Sequence, residues 1–144
     1  MNAAGTFLIV VGDDGSEPSF AALHWAVDEA GIRHGKVLLI TAWHYPPVPS
    51  TVEDSGGNDS FHAAERVQAD ALKAVAAEGV DIEGMLVRDS AATALLEAAK
   101  YADLLIVGSR GQGGFAGLLL GSVSGQVVHH AQCPVLVVRP QSGA

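Results

Sequence analysis

Cysteine is nearly absent from this chain: Cys133 stands alone, which excludes an internal disulfide and fits a reducing compartment. Basic residues are scarce too, with eight Lys and Arg against sixteen Asp and Glu and a formal net charge of −8. That balance excludes a broad basic face for nucleic acid. It also leaves any anionic ligand to be held by local backbone dipoles, with few cations to help. Long apolar runs are missing: no stretch approaches the ~18 uninterrupted apolar residues of a membrane-spanning helix. The run from Phe7 to Val11 is short, lacks a preceding basic residue and leads into Asp13-Asp14, so it does not read as an export signal. The expectation is a cytoplasmic protein that engages neither nucleic acid nor membrane. The six histidines show no metal-ligand spacing, since His129 and His130 are adjacent and the others are scattered.

What the chain does contain is apolar material, 49% of its 144 residues, with only 17% charged. One folded domain spanning 1–144 with a single core is expected. Apolar runs at Phe7 to Gly12, Lys36 to Trp43, Val80 to Val87, Leu104 to Val107 and Pro134 to Arg139 read as strands. Helical spacing falls between them. Ser16 caps a first helix with Glu17 and Pro18 in its opening turn, Phe20, Leu23, Val27 and Ala30 facing inward, and Gly35 as terminator. Phe61 to Glu78 reads as an alanine-rich helix with Ala64, Val67, Ala71, Leu72 and Val75 on one face. Ser90 caps a third helix running to Tyr101, and Val123 to Ala131 forms the last. His44 to Ser60, with three prolines and two glycines, reads as a loop. Trp25 and Trp43 read as packing groups. Strands alternating with helices imply an α/β domain, a parallel sheet with right-handed crossovers and helices on both faces.

The run Gly108-Ser-Arg-Gly-Gln-Gly-Gly-Phe-Ala-Gly-Leu-Leu-Leu-Gly-Ser122 lies between the fourth strand and the last helix. A glycine-rich turn lets ligand atoms approach the main chain, and the helix start offers unpaired N–H groups and a favourable dipole. The run points to a phosphate site. It is not a P-loop, because no lysine precedes Ser122. It is a poor dinucleotide fingerprint, because Ala116 stands where the third glycine belongs. Nor is it a nucleophile elbow, because Val123 occupies the central position of Gly121-Ser122-Val123-Ser124-Gly125.

The spacing that does fit is Gly-x2-Gly-x9-Gly-Ser, carried by Gly108, Gly111, Gly121 and Ser122. With it, the chain resembles the ATP-binding class of the universal stress protein family. Val11-Gly12-Asp13-Asp14-Gly15-Ser16 and Cys133-Pro134-Val135-Leu136-Val137-Val138 extend the likeness over nearly the whole chain. The resemblance implies a three-layer α/β/α sandwich around a five-stranded sheet in order 3-2-1-4-5, with ATP across strands one and four. It implies ligand contacts from Gly12, Asp13, Asp14, Ala42, Val107, Gly108, Ser109, Arg110, Gly111, Gly121, Ser122, Val123 and Ser124. Ala42 would offer backbone groups to the adenine, and Gly121, Ser122 and Val123 N–H groups to phosphate. The hydroxyls of Ser122 and Ser124 would join them, and Asp14 would lie near phosphate-bound Mg. Charge-assisted hydrogen bonds contribute about 1.5–3 kcal/mol each, so three or four support micromolar affinity.

Two positions depart from the family pattern. Asp13 stands where members often carry an apolar or neutral residue, and a second carboxylate repels a triphosphate unless it points away or binds the metal. Ala91 stands where many have proline. The expected role is a nucleotide-dependent regulator in stress response, with slow ATP hydrolysis or nucleotidyl transfer as one alternative. An ATP-independent dimeric module or a cyclic AMP binder is the other. No catalytic residue is assigned. The resemblance further implies a homodimer formed through the strand at 134–139, where Leu136 or Val138 replaced by lysine should separate the copies.

Overall fold

The computed structural model describes residues 5–44, 55–110 and 120–140. Along the chain run β1 (Leu8–Gly12), α1 (Glu17–Arg33), β2 (Lys36–Trp43), α2 (Ser55–Ala74), a 3-10 turn (Ala76–Glu78), β3 (Asp81–Arg88), α3 (Ala91–Ala99), β4 (Leu104–Gly108), α4 (Ser122–His130) and β5 (Val135–Val138). The five strands form one parallel sheet in the order β3-β2-β1-β4-β5, as expected. Strands buried on both faces need continuous apolar runs. Ile9, Val10 and Val11 at the sheet centre, with Leu105 and Ile106 beside them, are almost wholly buried. β3 alternates exposed and half-buried residues, as an edge strand does.

Each face carries one helical layer. Ile9, Val11, Val37 and Leu39 pack against Leu23, Val27 and Ala30 of α1 and Ala71 of α2. Val10, Ile40, Leu105 and Val107 pack against Leu95 and Ala99 of α3 and Val127 of α4. The caps lie where the serines put them: Ser16 accepts the Ser19 N–H at 3.3 Å, and Ser90 accepts the Thr93 N–H at 3.2 Å. Among the described residues, no helix is long and apolar enough to cross a membrane.

Four local expectations change. The second helix starts at Ser55, inside the segment read as loop, and ends at Ala74; residues 45–54 of that segment lie outside the described residues. The left-handed residue ending α1 is His34, at φ 54°, and not Gly35. Gly35 is fixed for another reason, since any Cβ there would run into the Phe7 carbonyl oxygen. Phe20 and Trp25, read as inward or packing, are 42% and 50% exposed. The helical spacing caught the period of Phe20, Leu23, Val27 and Ala30 but not how narrow the covered stripe of α1 is.

Candidate functional site

The carboxyl ends of β1, β2 and β4 meet where the strand order reverses, the position at which open α/β sheets bind ligands. A cleft opens there, with about 500 Å³ of free space including its mouth. Gly12, Asp13 and Asp14 reach it from the end of β1, Ala42 from β2, Val107, Gly108 and Arg110 from β4, and Val123 and Ser124 from α4. Nine of the residues anticipated from sequence thus share one cavity. Gly111 lies outside the described residues, as do the other glycines between it and residue 120.

The turn after β1 is held by its own side chains. Asp14 Oδ1 accepts the Ser16 N–H at 2.9 Å, which shapes the turn while Asp14 also faces the cleft. Asp13 Oδ1 accepts the Gly15 N–H at 3.1 Å and the Ser19 hydroxyl at 3.2 Å. Asp13 Oδ2 is buried and has no partner among the described residues. Burial pushes the Asp13 carboxyl above its ordinary range; the bonds from Gly15 and Ser19 pull it back, and the neighbouring Asp14 charge adds to the rise.

Gly108 ends β4 against the first turn of α1, where a Cβ would lie 2.7 Å from the Pro18 carbonyl carbon. Packing alone therefore demands glycine at this point of the motif.

Beyond it, Ser109 is a buried junction. Its N–H donates to the Val138 carbonyl at 2.9 Å, and its carbonyl accepts the Gly121 N–H at 2.6 Å and the Ser124 hydroxyl at 2.8 Å. Ser109, Gly121 and Ser122 do not line the cleft, although the first two brace its wall. Ser124 is 2% exposed with its hydroxyl donating to the Ser109 and Gly121 carbonyls, whereas Ser122 is exposed and its hydroxyl accepts from Gln126 Nε2 at 3.3 Å. The N-cap of α4 is Gly121, so no cap side chain covers the first N–H groups of that helix.

Sequence reasoning missed Ser19, Ile40, Ala91 and Leu95 in the cleft wall. Period two along β2 puts Ile40 on the face of Ala42, and period four along α3 pairs Ala91 with Leu95. Those signals were readable. Ser19 reaches the cleft because α1 starts hard against Gly108, which no local pattern announces. The walls are mainly aliphatic, and among the described lining residues Arg110 is the only cation. Trp43 packs edge-on against Phe61 with centroids 5.2 Å apart. The arrangement suits a flat apolar group with a polar or anionic tail directed at the start of α4.

Comparison with known proteins agrees with this architecture. A universal stress protein of Mycolicibacterium smegmatis is 32% identical over 148 residues, covering 96% of this chain and 50% of that protein. One of Mycobacterium tuberculosis is 39% identical over 133 residues, covering 91% of this chain and 47% of that protein. The chain thus spans about half the length of the curated relatives it matches. Among solved structures, a universal stress protein in complex with cyclic AMP superposes with a TM-score of 0.73 at 32% identity, covering 94% of this chain and 98% of that one. Residues 8–139 match the universal stress protein family over the full sheet and both helical layers, and the chain belongs to that family.

Proposed function

We propose that the cleft binds an adenine nucleotide, with ATP as the leading ligand, and that occupancy regulates the protein in stress response. The observation that carries this reading is the convergence of three strand ends and the uncapped start of α4 on one aliphatic cleft. Ile40, Ala42, Leu95 and Val107 provide walls for a base, with the Ala42 main chain within reach of its edge. The N–H group of Val123 in the wall, and the N–H group and hydroxyl of Ser122 just outside it, would take the oxygens of a phosphate tail that leaves the cleft there, and Arg110 would add charge. Magnesium carried by the phosphates would lie near Asp14 and neutralise charge there. Rapid phosphoryl transfer needs dense positive charge at the γ-phosphate, and a single arginine favours retention and sensing over turnover. The same reading has two copies pairing through 134–139.

A second reading is favoured by two observations. The 32%-identical solved relative holds cyclic AMP, and a cleft with one arginine and two aspartates among its described lining residues suits a singly charged phosphate better than a triphosphate.

Calorimetric titration with ATP, ADP, AMP and cyclic AMP, with and without Mg²⁺, tests both. Gly121 sits at φ −75° and ψ 177°, so Gly121→Asp fits the backbone while placing a carboxylate where phosphate is expected. Saturation near one ATP per chain, lost in Gly121→Asp, is the expected result. Saturation by cyclic AMP alone selects the second reading. No heat from any nucleotide, or equal binding by the variant, overturns both.

A further inference from the structure

On the other face of β1, α1 and α2 flank a second pocket with about 490 Å³ of space including its mouth. Among the described residues its lining includes Asp13, Ser16 and Phe20 from the β1 end and α1, and Val67, Asp70 and Ala71 from α2. Ile9 and Val11 pack into the α1/α2 layer. Strand alternation sends Asp13 to that same side, and the bond from Ser19 of α1 to Oδ1 holds it there at 3.2 Å. Asp13 is only 9% exposed, and its Oδ2 is buried without a partner among the described residues. A buried carboxylate oxygen lacking a donor is costly, so the pocket is one hydrogen-bond donor and one positive charge short.

The surroundings define what would supply them. Asp70 adds a second acid at the exposed surface of α2, Asp14 adjoins Asp13, and no Lys or Arg lines the pocket among the described residues. Phe20 offers a ring, packed edge-on against His24 at 4.6 Å. Val67 and Ala71 offer apolar contact. No three His, Cys, Asp or Glu side chains gather to hold a metal among the described residues, and divalent ions want more oxygen ligands than this wall provides. An alkylammonium satisfies all three features: N⁺–H to carboxylate, charge against an aromatic ring, and methylenes against Val67 and Ala71.

We infer that the pocket between α1 and α2 is a binding site for an aliphatic amine, with one ammonium on Asp13 Oδ2 and, in a diamine, a second near Asp70. Burial disfavours the bare Asp13 carboxylate, and a bound ammonium would offset that cost. The inference does not rest on the nucleotide reading, although Asp13 lies between the two spaces and lines both.

The test is titration of the full chain with n-butylamine, 1,4-diaminobutane and, as an uncharged control, 1,4-butanediol, followed by calorimetry and amide chemical shifts. Both amines are expected to saturate one site and to shift Gly15, Ser16, Phe20 and the 67–71 turn, while the diol does neither. Asp13→Asn should weaken both amines by about tenfold or more, the loss of one charge-assisted bond. Asp70→Asn, on an exposed surface that tolerates change, should weaken only the diamine. Gly121→Asp should leave all three titrations unchanged. Absence of saturation overturns the site, as do shifts spread over exposed carboxylates and insensitive to Asp13→Asn. If Asp13→Asn does not fold, equal loss of butylamine and diamine binding in Asp70→Asn, or no loss of either, overturns it as well.

Discussion

Asp13 and Gly108 show how differently single residues of one motif behave. The native Asp13 carboxyl holds its proton to higher pH than the unfolded chain, whose ordinary value is 3.8. Between the unfolded and native values the native state carries the extra proton, so stability falls as pH rises through that window and levels off once the native carboxyl has ionised. Urea unfolding of wild type and Asp13→Asn from about pH 4 to about pH 7 should show this loss in wild type only. Parallel profiles for the two proteins would contradict the burial of this acid. Gly108→Ala pushes a Cβ into the Pro18 backbone and should cost about 1–3 kcal/mol, read as a lower melting temperature without any ligand. An unchanged melting temperature would show that α1 yields at that contact. Because the cost is structural, lost nucleotide binding in this variant would say little about phosphate.

At the level of elements, the helix caps and buried strands were legible because their signals are local: Ser16 and Ser90 each bond the amide three residues on, and β1 and β4 are unbroken aliphatic runs. The start of α2 was not legible, since Ser55-Gly-Gly-Asn carries turn composition and helix formation there overrides propensity. Gln68 was silent for a similar reason. Its Nε2 lies 3.2 Å from the Leu39 carbonyl, 3.1 Å from Thr41 Oγ1 and 2.9 Å from the Met85 carbonyl, joining α2 to β2 and β3 beneath the sheet. A polar residue on an apolar helix face gives no hint of such partners. Gln68→Leu removes the donor these acceptors share and should destabilise the chain by about 1–3 kcal/mol. Amide hydrogen exchange should then quicken first in β3; uniform quickening across the sheet would mean that Gln68 is no local clamp.

For the whole molecule, the strand order followed from resemblance and from the alternation of elements, and much of the cleft from motif spacing. What escaped was tertiary: Ser19 enters the wall only because two chain segments meet without a Cβ between them. The dimer proposal gains a cleaner probe from the fold. Val138 is 6% exposed in the chain's own core and Leu136 packs beside it, so lysine at either position would disturb folding as well as pairing. Pro134 and Val138 present their carbonyls to β4, and alternation turns the Val137 N–H outward. Val137→Pro therefore removes an edge donor while leaving the ladder to β4 intact. Sedimentation should report monomers with unchanged circular dichroism, and a persisting dimer would exclude this edge.

Ser109 carries one consequence further. A single residue anchors the first turn of α4 through its carbonyl and the end of β5 through its amide. If the proposed nucleotide and the proposed pairing both hold, occupancy of the cleft and association of chains are corners of one thermodynamic cycle: a nucleotide that tightens pairing must itself be held more tightly by the pair, by the same factor. Affinity then becomes a function of protein concentration. A dilution series carried through dimer dissociation should show a sliding Kd, and a constant one would mean that the junction at Ser109 transmits no work between nucleotide and partner chain.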